Sequence, residues 1–121
     1  IEMFQRFSID QSIFEEILKL SKSYDKILVC LDSNHTHKHV IRELDLYSKL
    51  VSKDSYCIVF DTVIEHLPNE CCENRSWSIG NNPLTAVKEW LLKNKNFEID
   101  YYYDKKAMIS VAKEGYLKRV K

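Results

Sequence analysis

A chain of 121 residues that is 45% hydrophobic has the size and apolar content of one domain with one core, without disulfide or metal staples. Eighteen basic residues balance eighteen acidic ones, so there is no overall field to gather nucleic acid or an anionic membrane surface, and neither is expected as a partner. No apolar run approaches the ~20 residues of a membrane-spanning helix, and the first residues carry neither a basic n-region nor a small-residue cleavage site, so a soluble chain is expected.

Residues 1–8 contain β-favouring and apolar side chains and read as a strand; Asp10 then stands where a cap would precede a helix carrying Ile13, Phe14, Ile17 and Leu18. Residues 26–31 (KILVCL) form a continuous apolar run ending in Asp32, the pattern of a strand buried on both faces of a parallel sheet. Val40, Leu44, Tyr47 and Val51 recur at helical spacing and predict a helix over 35–51. Residues 56–60 (YCIVF) repeat the buried-strand pattern and again end in an acid, Asp61.

Residues 63–82 lack sustained periodicity, and a loop of that length in a compact domain is usually functional. Asn82-Pro83 places a cap before a proline at the first helical position, leading into a helix with Ala86, Val87, Trp90 and Leu91 on one face. Residues 97–103 and 107–112 read as two strands joined by the turn Asp104-Lys105-Lys106, which gives an antiparallel hairpin at the sheet edge. Cys30 and Cys57 lie inside apolar runs, where a thiol behaves as a small hydrophobe and fits a reducing, cytoplasmic setting. Cys71-Cys72 with His66 lacks the two-residue spacing with which paired thiolates share a zinc ion.

Leu31-Asp32-Ser33, His35-Thr36-His37 and His39-Val40, followed by Glu43-Leu44 and Tyr47, resemble the signature of the cephalosporin hydroxylase family. The resemblance continues through Phe60-Asp61-Thr62-Val63-Ile64-Glu65, Gly80-Asn81-Asn82-Pro83 with Ala86-Val87, and Gly115-Tyr116-Leu117, and so covers essentially the whole chain. It implies an α/β fold: the doubly wound, mostly parallel sheet of the class I methyltransferase (Rossmann-like) type, which binds S-adenosylmethionine outside the carboxyl ends of its strands.

On that pattern residues 1–8, 26–31 and 56–60 correspond to the third, fourth and fifth strands. Residues 1–121 are then the C-terminal part of a single methyltransferase-like domain, incomplete because its first two strands are missing. A first residue that is Ile1 rather than Met agrees with a chain that begins inside a longer protein. Gly80 and Gly115 are the only glycines, so the glycine-rich cofactor turn would come from upstream sequence, or from another copy in a homo-oligomer.

The implied activity is S-adenosylmethionine-dependent O-methyl transfer to a hydroxyl of a saccharide or other small-molecule substrate, assisted by Mg²⁺. Two other readings stand beside it: a non-catalytic interaction module that keeps the fold, and a cephalosporin hydroxylase-type oxygenase component. Asp32 and Asp61, at two strand ends, are the candidate metal ligands, although either could simply cap the element that follows. Related proteins often have a further acid where this chain has Phe60, which leaves a third ligand open; Glu65 is a minor candidate.

His35 is the preferred general base, with His37 next and His39 last, because an imidazole titrating near neutrality suits removal of a hydroxyl proton. Ser8 and Ile9 match the stretch that lies beside the cofactor's adenine in similar enzymes. Trp77, in the long loop with no stripe to absorb it, is the candidate substrate contact, whereas Tyr101, Tyr102 and Tyr103 are expected to pack.

Overall fold

The computed structural model describes residues 1–121. The chain forms four helices, α1 (Gln11–Ser21), α2 (His37–Tyr47), α3 (Pro83–Lys93) and α4 (Tyr101–Ala107), and four strands, β1 (Val29–Leu31), β2 (Tyr56–Val59), β3 (Phe97–Ile99) and β4 (Tyr116–Arg119). The strands make one mixed sheet in the order β1-β2-β4-β3. β1 and β2 are parallel, in the register Leu31↔Val59, while β4 runs antiparallel to both β2 and β3. No helix is long and apolar enough to cross a membrane.

One core joins these elements, built from Phe14 of α1, Val40, Leu44 and Tyr47 of α2, Val87 and Trp90 of α3, and Cys57, Val59 and Leu117 of the sheet. Burial pushes the Cys57 thiol up to about 12, as expected of a cysteine used as a small hydrophobe. The α2–α3 seam is also tied by polar bonds, since Trp90 Nε1 donates to Asp45 Oδ1 at 3.0 Å. Asn82 caps α3 as expected: its Oδ1 accepts from the amides of Leu84 and Thr85, and Thr85 Oγ1 completes a reciprocal capping box.

Several sequence expectations are corrected. Residues 1–8 are irregular rather than a strand, with Ile1, Met3 and Phe7 in solvent, because strand propensity states only that side chains would suit a sheet. β1 is shorter than its apolar run. It lies at the edge of the sheet with Leu28 and Cys30 exposed, so it is not buried on both faces. Asp10 occupies the cap position of α1 without making a side-chain capping bond. The expected 35–51 helix is α2 followed by a short 3-10 turn, Ser48–Leu50. The sheet has one parallel pairing and two antiparallel ones, so it is mixed rather than mostly parallel.

The predicted hairpin over 97–112 is also replaced. After β3 the carboxylate of Asp100 accepts from the Tyr102 amide at 2.9 Å and starts α4, so the β-favouring tyrosines become helical. Tyr56 donates to the same carboxylate at 2.7 Å, which lowers its pKa and holds it charged at the cap. Tyr103 packs between Tyr56 and Tyr116, whereas Tyr101 and Tyr102 are largely exposed. The antiparallel partner of β3 is β4, further along the chain.

Gly115 enters β4 where the chain crosses the end of β2: its carbonyl accepts from Val59 N at 2.9 Å, and a Cβ there would stand 2.2 Å from Val59 O. A methyl group has no space beside a backbone carbonyl that is itself fixed in the sheet. Gly115→Ala is therefore expected to cost about 3 kcal/mol. A thermal melt should show a midpoint lower by about 10 °C, and an unchanged midpoint would show that the crossing relaxes freely.

Candidate functional site

Parallel pairing in the Leu31↔Val59 register brings the ends of β1 and β2 side by side, and Phe60 N extends the ladder by donating to Leu31 O at 3.0 Å. Asp32 and Asp61 thus emerge at the same sheet edge, as expected. Asp61 sits in the left-handed region (φ 54°, ψ 21°), which an aspartate tolerates better than most side chains. Beyond Asp32, Asn34 Oδ1 accepts from both the amide and the hydroxyl of Thr36, making a tight turn before α2.

His35, carried on that turn, meets both acids: its Nε2 lies 3.4 Å from Asp32 Oδ1 and 3.1 Å from Asp61 Oδ2. The ligand atoms of the three residues all lie within 4.8 Å of one another. The carboxylate oxygens of Asp32 and Asp61 are the donors there that suit a hard divalent cation such as Mg²⁺, with the His35 imidazole beside them. Trp77 reaches the same place from the long loop, its ring 6.2 Å from that of His35, with the Arg75 guanidinium 5.5 Å from the ring centre.

His37 is not part of this cluster. Its Nδ1 faces Thr85 Oγ1 at 2.8 Å and its Nε2 faces Glu89 Oε2 at 3.1 Å, which pins the start of α2 to α3. Ser8 and Ile9 line a cavity of about 580 Å³ with Arg6, Phe7, Ser33, Asn34 and His39, and none of Asp32, His35 and Asp61 lines it. That cavity offers hydroxyls, an imidazole and an apolar rim, which suit a small heterocycle.

A second network lies beneath that cavity, and sequence reasoning missed it. Glu43 is 2% exposed, and its Oε1 accepts from Ser33 Oγ at 2.7 Å. His39 Nε2 lies 3.1 Å from Ser8 Oγ, 3.2 Å from Ser33 Oγ and 3.6 Å from Glu43. Tyr47 Oη donates to Ser8 O at 2.6 Å, so α2 holds residue 8 by two side chains. A nucleophilic triad needs its acid and its hydroxyl on opposite ring nitrogens, but here every partner meets Nε2, so the network is a clasp. The available signal was a charged residue inside the apolar stripe of Val40, Leu44 and Tyr47.

Residues 1–120 match the protein family described as Rhamnosyl O-methyltransferase/CmcI. The chain belongs to that family. Relatives include the rhamnosyl O-methyltransferases of Mycobacterium tuberculosis and Mycobacterium bovis, each 39% identical over 62 residues. That stretch is 50% of this chain and 25% of each relative, so the chain matches about a quarter of their length. No solved structure matches the chain.

Because Glu43 is buried with Ser33 and His39 as partners, truncating it removes the carboxylate acceptor of Ser33 Oγ and leaves the clasp only its contacts among Ser8, Ser33 and His39. Glu43→Ala is expected to lower unfolding free energy by about 2 kcal/mol in urea denaturation. Glu43→Gln, which retains an acceptor for Ser33, should lose less; equal losses would indicate that volume rather than hydrogen bonding sets the cost.

Proposed function

We propose that the complete protein is an S-adenosylmethionine-dependent O-methyltransferase acting on a saccharide hydroxyl, with Asp32, His35 and Asp61 at its reacting end. The observation that carries this reading is the convergence of one imidazole on two strand-end carboxylates beside a half-buried loop tryptophan. Family membership and relatives named for rhamnosyl O-methyl transfer support it.

His35 is suited to the proton. With Nε2–H donating to the carboxylates, Nδ1 is the basic nitrogen, and the imidazolium formed on accepting a hydroxyl proton would be held between Asp32 and Asp61. Trp77 offers an apolar ring face on which a sugar could stack with a hydroxyl directed at His35. Ser8 and Ile9, in the neighbouring cavity, are placed to contact the adenine end of the methyl donor.

S-adenosylmethionine supplies an electrophilic methyl group, and a divalent cation such as Mg²⁺ held by Asp32 and Asp61 supplies Lewis-acid lowering of the acceptor hydroxyl's pKa. The carboxylates would therefore affect the chemical step more than cofactor binding, because no cavity residue named above for the adenine contacts them.

Asp32→Asn in the complete protein is expected to abolish dependence on divalent metal and to reduce labelled-methyl turnover by about 100-fold or more, while the calorimetric Kd for S-adenosylmethionine changes by less than about threefold. Turnover that survives both a chelator and Asp32→Asn would end the metal-assisted reading and leave His35 as base without a cation.

A further inference from the structure

Glu65 was a minor metal candidate in the sequence, yet it does not join the cluster of Asp32, His35 and Asp61. It lies in the short 3-10 turn Thr62–His66 that follows Asp61, and its Oε2 accepts from the Gly80 amide at 2.8 Å and, at short range, from Asn82 Nδ2. The Gly80 donor, together with Asn82, holds its carboxyl below the ordinary glutamate range. Both donors belong to the tight turn in which Ser78 and Asn81 exchange backbone bonds around Gly80, whose φ is +79°.

That turn carries weight on both sides. Asn82, fully buried, caps α3 through Oδ1 and bonds Ser78 O through Nδ2. Asn81 Oδ1 accepts from the His37 amide at the start of α2, and Asn81 Nδ2 donates to Ser76 O, next to Trp77. A single carboxylate oxygen therefore joins the segment that carries Asp61 to the segment that carries Trp77, which in turn holds the helix start just beyond His35.

We propose that Glu65 is the positioning residue that clamps the Trp77 loop against the Asp32–His35–Asp61 cluster, and so sets affinity for the acceptor rather than the chemistry at its hydroxyl. The proposal rests on the reading of Trp77 as the acceptor's ring contact. Glu65 Oε2 accepts both donors on one oxygen, and its negative charge strengthens each bond over what a neutral acceptor would give.

The test uses the complete protein with Glu65→Ala, Glu65→Gln and Trp77→Ala. Hydrogen exchange at amides 78–82 and acrylamide quenching of Trp77 read the clamp directly, with buried Trp90 as the unquenched internal control. Labelled-methyl transfer to a methyl rhamnoside reads its use. In Glu65→Ala, exchange at 78–82 should rise about 10-fold or more with β2 unchanged, and Trp77 should become more quenchable. Acceptor KM should rise about 10-fold with kcat within about threefold, and Glu65→Gln, which keeps an acceptor oxygen, should recover most of the loss.

Exchange and quenching that stay at the wild-type level in Glu65→Ala overturn the clamp, whatever the kinetics. A loosened loop with unchanged KM, while Trp77→Ala raises KM, overturns the assignment of acceptor affinity to Glu65. Trp77→Ala with unchanged KM removes the acceptor reading on which the proposal rests, and then exchange at 78–82 reports a structural tie alone.

Discussion

The candidate site depends on one pairing, the parallel contact of β1 with β2. Three backbone register pairs, ending at Leu31↔Val59, decide that residue 32 and residue 61 leave the sheet at neighbouring points. Had either strand slipped by one residue, its side chains would have changed faces and the acids would have parted. The core enforces the register, because Leu31 and Val59 point into the cluster formed with Val40, Leu44 and Val87, and a slip would carry these apolar side chains out of it. Functional geometry is thus fixed by burial at a distance from the polar atoms.

From that pairing the remainder is assembled by polar ties across loops. The Asn34 turn brings His35 back over both strand ends, Asn81 caps α2 from the long loop, and His37 stitches α2 to α3. Such bonds are individually modest, since each replaces a bond to water. They act together because each closes onto a helix or strand that is already packed, so little further freedom is lost when they form.

Legibility in the sequence followed the range of the forces involved. The runs KILVCL and YCIVF, with their terminal acids, were readable as neighbouring parallel strands because short apolar, β-favouring runs mark strands even where one side is exposed, and Asn82-Pro83 announced α3 because capping is local. Residues 1–8 and 107–112 misled because β-propensity reports only that a side chain would suit a sheet; at 101–107 the cap made by Asp100 outweighed it. The meeting of His35 with both Asp32 and Asp61 follows from a turn whose direction no periodicity encodes. Glu43 and Glu65 were hidden for a similar reason: a carboxylate's partner 10 or 15 residues away leaves no periodic trace.

Asp61 combines two demands at one position. Its carboxylate faces His35, and its backbone occupies a conformation that the wider amino-acid alphabet avoids. Glycine would relax the backbone but remove the carboxylate, glutamate would keep the charge but resist the backbone, and asparagine alone approaches both shape and torsion. Chemistry and stereochemistry therefore intersect on a nearly single-valued solution, so sequence drift at this strand end is confined by steric rules even before any selection for activity is considered.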